Sequence, residues 1–290
     1  MLKFLFWLLY LAAMLIVKHI KDLQKRQQSD NFTIGFVPTM GALHQGHISL
    51  IMQSKAENQL TVCSIFVNPT QFNDKKDFDK YPITIEQDIE KLSLAGTDIL
   101  FLPEVEEMYP EGLDEQKQYD IGYLDTVLDG KFRPGHFNGV SMIVHKLLEA
   151  VDPTNLYMGE KDFQQCLVVK HLIEQKKLSV QLITCPTLRE SNGLAMSSRN
   201  TRLSDQGRET ASTIFDCLTY IKTHQTESEF AALQAYCLAK LTNAGFEPEY
   251  LLLADADSLH LIDSFEQATN KVVLVAAKLE GVRLIDNMRM

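Results

Sequence analysis

The stretch TIGFVPTMGALHQGH, residues 33–47, changes character halfway along. Its first half is apolar and β-branched, which is typical of a buried strand. Its second half holds two glycines and two histidines and leads into HISLIMQSKAENQ, whose apolar residues recur at helical spacing. A second strand-like run, TVCSIFVNPT, follows. This order predicts a βαβ unit, in which a helix joins two parallel strands.

The same alternation continues through the first two thirds of the chain. Ile16 and Val17 suit a short first strand, and further strand patterns are TDILFLP, TNLYMG and SVQLITCPT. Helical spacing is found between them in YPITIEQDIEKLSLAG, NGVSMIVHKLLEAV and DFQQCLVVKHLIEQKK. Repeated strand-then-helix segments predict an α/β fold with a doubly wound, Rossmann-like parallel sheet, which we place at residues 14–188.

The pattern changes in residues 189–290. Two helical stretches, near residues 205–223 and 227–244, precede the strand-like runs PEYLLLADA and KVVLVAAKL. Helices that precede the strands, instead of alternating with them, predict a smaller C-terminal α+β domain.

The composition narrows the function classes. With 290 residues and 45% hydrophobic content, the chain can bury a large core. A formal charge of -10 argues against a general nucleic-acid surface, because phosphate backbones require clustered lysine and arginine. The five cysteines form no C-x-x-C pair, which predicts reduced core thiols in a reducing compartment.

The first residues point the other way. Residues 4–17, FLFWLLYLAAMLIV, are uninterrupted apolar sequence, as long as a signal-peptide core and short for a membrane span. Met14 lies inside this run, however, and MLIVKHIKDLQ is a sensible start for a protein outside the membrane. We therefore expect residues 1–13 to be an extension that is not part of the functional protein, with a membrane-directing segment as the alternative.

Polar turns follow four of the predicted strands. They are PTMGALHQGH, NPTQF, GEKDFQQ and RESNGLAMSSRN. In such sheets ligands bind beyond the carboxyl ends of the strands, so these turns predict a ligand site. His44 and His47 stand at a helix start, where free N–H groups attract anions, and Gly41 and Gly46 allow close approach. The alternative for a histidine at this position is a capping residue.

Two of these motifs resemble a known superfamily. HQGH after the first βαβ strand resembles the HIGH-type motif of nucleotidyltransferases, and MSSRN, residues 196–200, resembles a reduced form of the partner KMSKS motif. Together with FVNPTQF, FRPGHFNGV and YMGEKDFQQ, in this order, they make the chain from Met14 onward resemble the pantoate–β-alanine ligase family.

The resemblance implies a two-step reaction of pantothenate and coenzyme A biosynthesis. The carboxylate of pantoate attacks the α-phosphorus of ATP, which gives pantoyl adenylate and pyrophosphate. The amine of β-alanine then displaces AMP and forms the amide of pantothenate. The resemblance further implies Mg²⁺ as a cofactor and a homodimer. Because the implied reaction consumes ATP, we expect a cytoplasmic location, with neither nucleic acid nor a membrane as a partner.

It also implies roles for particular residues. Residues 40–47 are the core of the nucleotide site, with His47 as the proton donor, and Asp88 is the candidate ligand of Mg²⁺. The implied catalytic residues are His44, His47, Lys161, Ser197, Ser198 and Arg199. The implied ATP-binding residues are Pro38, Thr39, Met40, Gly41, Ala42, Leu43, His44, Gln45, Gly46, His47, Gly159, Glu160, Lys161, Asp162, Leu188, Met196, Ser197, Ser198 and Arg199. The implied residues for pantoate and β-alanine are Asn68, Gln71, Arg133 and Gln165.

Two alternatives compete with this interpretation. One is another member of the superfamily, either a cytidylyltransferase or a fragment of an aminoacyl-tRNA synthetase, although the chain lacks a basic tRNA-binding extension. The other is a non-catalytic nucleotide sensor that keeps the fold. The presence of His44, His47, Lys161 and Arg199 argues against the sensor.

Overall fold

The computed structural model describes residues 14–27, 32–72, 78–113 and 118–290. The predicted extension, residues 1–13, lies outside them. The strands are β1 Leu15–Val17, β2 Ile34–Thr39, β3 Leu60–Ile65, β4 Ile99–Phe101, β5 Asn155–Gly159, β6 Gln181–Cys185, β7 Glu247–Asp255, β8 Lys271–Leu279 and β9 Val282–Arg289. The helices are α1 Ile20–Gln27, α2 Gln45–Glu57, α3 Ile85–Leu94, α4 Val105–Met108, α5 Leu128–Phe132, α6 His136–Val151, α7 Phe163–Lys176, α8 Asp205–Ala211, α9 Thr213–His224 and α10 Phe230–Asn243.

Six strands form one sheet in the order β1-β4-β3-β2-β5-β6. The pairs of β1 with β4, β4 with β3, β3 with β2 and β2 with β5 are parallel. Strands β3 and β4 lie on one side of β2, and β5 and β6 lie on its other side. Strand β1 pairs with β4 at the edge of the sheet. This confirms the predicted doubly wound sheet and puts its switch point between β2 and β5, where such folds bind ligands.

The apolar residues of β2, β3 and β4 meet those of two helices. Val37, Cys63 and Leu100 of the strands are buried with Ile51 of α2 and Leu92 of α3. Burial also raises the pKa of the Cys63 thiol to about 12, so this thiol stays protonated at neutral pH. All five cysteines are buried and free, as the sequence predicts.

The antiparallel sheet β7-β8-β9 and the helices α9 and α10 share a second core. This arrangement confirms the predicted smaller α+β domain. Two details differ from the sequence pattern. The predicted helix over residues 205–223 is broken at Ser212, whose N–H bonds to Glu209 three residues back. Strand β9 was not predicted, because Arg283, Asp286 and Asn287 interrupt its apolar alternation.

The structure divides into two compact units. The first unit contains the described residues up to Ile121, Gly135–Met158 and Val169–Cys185. The second unit contains Gly122–Pro134, Gly159–Val168 and Pro186–Met290. Three segments that the sequence assigns to residues 14–188, the third being residues 186–188, thus belong to the second unit. A domain boundary after residue 188 stays a prediction. Within the described ranges, no helix has the length and apolarity needed to cross a membrane.

Candidate active site

The loop after β2, residues 40–44, has a tightly constrained backbone; we call it the β2 loop. Gly41 and Ala42 both have a left-handed φ, of 79° and 49°. A side chain at Gly41 would lie 3.1 Å from Ile65 Cγ2 and 3.2 Å from Asp88 Oδ2, so glycine fits this position best. The N–H groups of Ala42 and Leu43 each donate to the Asp88 carboxylate at 2.8 Å.

The two histidines of the motif are interlocked at the start of α2. His44 is the N-cap residue, and its Nδ1 accepts the N–H of Gly46 at 3.1 Å. The N–H of His44 donates to His47 Nδ1 at 3.2 Å, and the two ring centroids are 4.0 Å apart. Because both Nδ1 atoms accept hydrogen bonds, each neutral ring carries its proton on Nε2. The predicted capping role and the predicted phosphate role therefore use different nitrogen atoms.

The turn after β3, residues 68–71, is held by a buried amide; we call it the β3 turn. Asn68 is only 1% exposed. Its Nδ2 donates to the carbonyl of Gly139 at 3.2 Å and to Gln71 Oε1 at 3.3 Å. Its Oδ1 accepts from the hydroxyls of Tyr109 at 2.7 Å and Thr70 at 3.1 Å. The buried Asn68 thus orients the side chain of Gln71. A direct contact of Asn68 with pantoate stays a prediction.

Gln71 links the β3 turn to the β2 loop. Its Nε2 donates to Met40 Sδ at 2.8 Å, and its carbonyl oxygen lies 2.8 Å from His136 Nδ1. Helix α6 comes very close to this turn, because a Cβ on Gly139 would lie 2.4 Å from the Thr70 carbonyl oxygen. The first unit therefore brings the predicted residues Met40 and Gln71 together at the carboxyl edge of its sheet.

In the second unit, strand β9 supports the turn that follows β5. Asn287 Nδ2 donates to the carbonyls of Glu160 and Lys161 at 2.9 and 3.0 Å. Arg289 Nε donates to Glu160 Oε1 at 2.5 Å. Lys161 Nζ lies 3.8 Å from Asp162 Oδ1. Sequence reasoning missed Asn287 and Arg289, although polar residues in an otherwise apolar strand are a usable signal.

Backbone and side-chain hydrogen bonds hold the MSSRN segment, which is also in the second unit. Met196 N–H donates to the carbonyl of Leu188 at 3.0 Å, so these two predicted ATP-binding residues are neighbours. Ser197 caps the short 3-10 helix Ser198–Arg202 by accepting the Arg199 N–H at 3.3 Å. Asn200 ties the segment down, since its Nδ2 donates to Glu190 and to the carbonyl of Ala195, both at 3.0 Å.

A buried ion pair lies beside the predicted residue Arg133. The Asp129 carboxylate accepts from Arg283 at 2.7 Å and from the Tyr250 hydroxyl at 2.6 Å, and Arg133 lies 4.0 Å away. Burial raises the pKa of Asp129, but the charge and hydrogen bonds of Arg283 outweigh it and hold that pKa below its usual value. Gln164, which precedes the predicted Gln165, accepts the Asp129 N–H at 2.9 Å. Sequence reasoning missed Asp129, Gln164 and Arg283.

Asp88 does not fit the predicted role as a ligand of Mg²⁺. It is fully buried, and besides the two β2-loop N–H groups it accepts the Thr84 hydroxyl at 3.1 Å. Mg²⁺ requires octahedral oxygen ligands and usually keeps several waters, which this enclosed carboxylate does not offer. The described part of the chain contains no group of three His, Cys, Asp or Glu residues that could hold a metal ion. We correct the prediction for Asp88 on this ground.

Comparisons with known proteins agree with one another. The family model "Pantoate-beta-alanine ligase" matches residues 15–289. A curated pantothenate synthetase of Cytophaga hutchinsonii is 46% identical over 265 residues, which are 90% of this chain and 93% of that protein. The crystal structure of pantothenate synthetase from Thermus thermophilus has a TM-score of 0.89 at 36% identity, and the match covers 95% of this chain and 99% of that one.

A second similar solved structure is a complex with ligands. It is the pantoate–β-alanine ligase from Francisella tularensis, complexed with β-γ ATP and β-alanine. Its TM-score is 0.78 at 37% identity, and the match covers 95% of this chain and 97% of that one.

Proposed function

The chain belongs to the pantoate–β-alanine ligase family, and we propose that the β2 loop and the β3 turn bind the reacting groups of its substrates. The protein is an ATP-dependent ligase that joins pantoate to β-alanine. The main observation behind the proposed site is the contact of Gln71 with Met40, because it joins the β3 turn to the β2 loop, which leads into helix α2.

The histidines act in the first step. When the pantoate carboxylate attacks the α-phosphorus, negative charge grows on the phosphate oxygens and the leaving pyrophosphate. In the proposed mechanism the Nε2–H groups of His44 and His47 donate hydrogen bonds to this charge, at the positive end of helix α2. Their Nδ1 atoms are held by backbone N–H groups, so the rings are oriented before ATP binds.

Gln71 serves both steps as a neutral contact. An amide can hydrogen-bond the hydroxyl and carboxylate groups of pantoate without competing as a nucleophile. The same side chain lies near the incoming amine of β-alanine in the second step. Gln165 and Arg133 are proposed as further pantoate contacts, and Asn68 acts by orienting Gln71.

Further nucleotide contacts are proposed for the turn after β5 and for the MSSRN segment. Gly159, Lys161 and Asp162 bind ATP, with the Lys161 ammonium neutralising phosphate charge and Asp162 accepting from ribose hydroxyls. Ser197, Ser198 and Arg199 contact the triphosphate, and Leu188 contacts adenine through its backbone. Mg²⁺ neutralises phosphate charge when it is bound, and we propose that it is held mainly by the phosphate oxygens of ATP, not by Asp88. A cytoplasmic location is proposed because the reaction consumes ATP, and a homodimer is proposed from the family resemblance.

Pyrophosphate release tests the function and separates it from the alternatives. We expect release from ATP only when pantoate is present, followed by formation of AMP and amide when β-alanine is added. A cytidylyltransferase releases pyrophosphate from CTP without pantoate, and a nucleotide sensor releases none. Either of these results would overturn the proposal.

Replacement of Gln71 tests the site. Gln71→Ala leaves polar groups of bound pantoate unpaired at a cost of about 1–3 kcal/mol, so the KM for pantoate should rise about ten- to hundredfold while the KM for ATP changes little. Gln175→Ala is the matched control, since Gln175 is exposed and donates to the Asp120 carbonyl. Equal losses for pantoate and ATP would assign Gln71 to the fold instead of the pantoate pocket.

A further inference from the structure

We infer that Asp88 and Lys91 of helix α3 are positioning residues that hold the β2 loop in its phosphate-binding shape. The inference rests on the proposed function of that loop. It goes beyond that function because it assigns the loop geometry, and the orientation of His44, to a helix that touches no reacting atom in the proposed mechanism.

Leu43 is held by α3 at both of its backbone groups. Its N–H donates to Asp88 Oδ1 at 2.8 Å, and its carbonyl oxygen accepts from Lys91 Nζ at 2.6 Å. The Asp88 carboxylate thus accepts from a backbone N–H, and the Lys91 ammonium donates to a backbone carbonyl. Hydrogen bonds with one charged partner are stronger than those between neutral groups. Leu43 directly precedes the N-cap His44, so fixing its peptide groups fixes where helix α2 begins.

The loop needs this support because its backbone is unfavourable by itself. Ala42 has a φ of 49°, a left-handed conformation that its Cβ disfavours. Its N–H donates to Asp88 Oδ2 at 2.8 Å. The neighbouring Gly41 leaves room for Asp88 Oδ2, which would lie 3.2 Å from a Cβ at that position. The carboxylate therefore sits inside the curve of the loop and stabilises a shape that the loop residues alone resist.

The kinetic test compares three single variants with the full chain. Asp88→Asn turns one oxygen into an NH₂ group that faces backbone N–H donors, and it should reduce pantoate-dependent pyrophosphate release about 10- to 100-fold. Lys91→Met keeps most of the length of the side chain and loses its ammonium group, so about a three- to tenfold loss is expected. Lys21→Met, an exposed lysine of α1, is the matched control and should match the unaltered protein.

Three further readouts separate positioning from other roles. In both α3 variants, supplied pantoyl adenylate should restore amide formation, the Mg²⁺ concentration for half-maximal activity should stay unchanged, and the amides of Ala42 and Leu43 should exchange hydrogen faster. Ala42→Gly in the Asp88→Asn background should recover part of the activity, because glycine accepts the left-handed φ without a carboxylate.

Two results would overturn the inference. One is normal pyrophosphate release and normal exchange of the loop amides in a folded Lys91→Met variant. The other is a rise of tenfold or more in the required Mg²⁺ concentration for Asp88→Asn, without rescue by Ala42→Gly, which would make Asp88 a metal ligand after all. Failure of the proposed function is distinguishable, because the unaltered chain itself would then release no pyrophosphate with pantoate.

Discussion

At position 47, one imidazole ring meets two demands through its two nitrogen atoms. Nδ1 accepts the His44 N–H and thereby belongs to the cap of α2. In the proposed mechanism Nε2 carries the proton and donates to phosphate. The residue type is therefore needed for its shape as much as for its acidity, since few side chains can accept at one atom and donate at another across a rigid ring.

Replacement of His47 separates the two demands. His47→Ala should lower pantoate-dependent pyrophosphate release about 10²- to 10³-fold, which corresponds to about 2.7–4 kcal/mol of transition-state stabilisation. Supplied pantoyl adenylate should bypass most of this defect, because pyrophosphate has already left. Amide formation is timed with β-alanine from either ATP and pantoate or the preformed adenylate.

Two amide variants serve as controls for His47. His47→Asn keeps an acceptor near the position of Nδ1, so it should preserve thermal stability while activity stays low. His47→Gln places a donor near the position of Nε2 and should keep more activity. An equal deficit with ATP and with preformed adenylate would contradict the phosphate role.

Among the elements, helix α6 fixes the β3 turn by close approach instead of by charge. Gly139 accepts from Asn68 through its carbonyl, and its missing side chain lets the helix backbone lie against Thr70 and Gln71. Two residues apart on the same helix, the buried Ser141 hydroxyl has no hydrogen-bond partner among the described residues. The helix is therefore sensitive to added volume at one position and tolerant of lost polarity at the other.

Substitution at Gly139 should show this sensitivity in the kinetics. In Gly139→Ala the new Cβ would lie 2.4 Å from the Thr70 carbonyl oxygen and 2.8 Å from Gln71 Cα, so the β3 turn must move. Overpacking of this kind costs about 1–3 kcal/mol, and we expect the KM for pantoate to rise about tenfold or more. Ser141→Ala is the control and should leave stability and kinetics nearly unchanged. Unaltered pantoate kinetics in Gly139→Ala would contradict the proposed role of the turn.

The contact between α5 and strand β9 has a pH dependence with a definite sign. Burial alone raises the pKa of Asp129, but Arg283 lowers it below its usual value. Stability from this pair is complete above the usual carboxyl pKa near 4 and is lost as the pH falls through the lower folded-state pKa.

Replacement of this carboxylate tests the sign. Asp129→Asn should lower the free energy of unfolding by about 3–5 kcal/mol at pH 7. This difference from the unaltered protein should become smaller as the pH is lowered to 3, and urea unfolding at each pH measures it. Asp216→Asn, at an exposed pair with Lys240, should cost at most about 1 kcal/mol at any pH. A difference for Asp129→Asn that does not change with pH would contradict the ion-pair explanation.

At the scale of the whole molecule, the described sheet and the family match both start after residues 1–13. The sheet is described from β1 onward, where Leu15 pairs with Ile99 of β4, and the family model begins at residue 15. The proposed site residues all follow Met14 in the sequence.

A chain that begins at Met14 tests the expectation for residues 1–13. We expect it to stay in the supernatant after high-speed centrifugation and to have the same kcat and KM values as the full chain. The comparison uses both chains purified in the same way. Recovery of the full chain in the membrane fraction of its native cell, with cleavage after Ala13, would favour the membrane-directing alternative.

Local patterns in the sequence were enough for the fold class and the chemistry. Strand and helix periodicity repeats within a few residues, so the doubly wound sheet and the smaller α+β domain were predictable. Motif chemistry is also local, so the His44 and His47 pair and the Gln71 turn could be predicted as parts of the site, while their exact roles stay predictions.

Only the tertiary structure decided what the buried polar groups do. Asp88 accepts a hydrogen bond from Leu43, which is 45 residues away in the sequence, and Asn287 donates one to Glu160, which is 127 residues away. Strand β9 was missed because its polar residues break the alternation. Asn287 bonds to the turn after β5 and Asp286 to Arg189, while Arg283 bonds to Asp129. A carboxylate or amide has the same sequence pattern whether it binds a metal, a substrate or a distant backbone group. Its partner is set by the packing of elements, because burial makes an unpaired polar group costly and so forces each one to find a bond wherever the fold provides it.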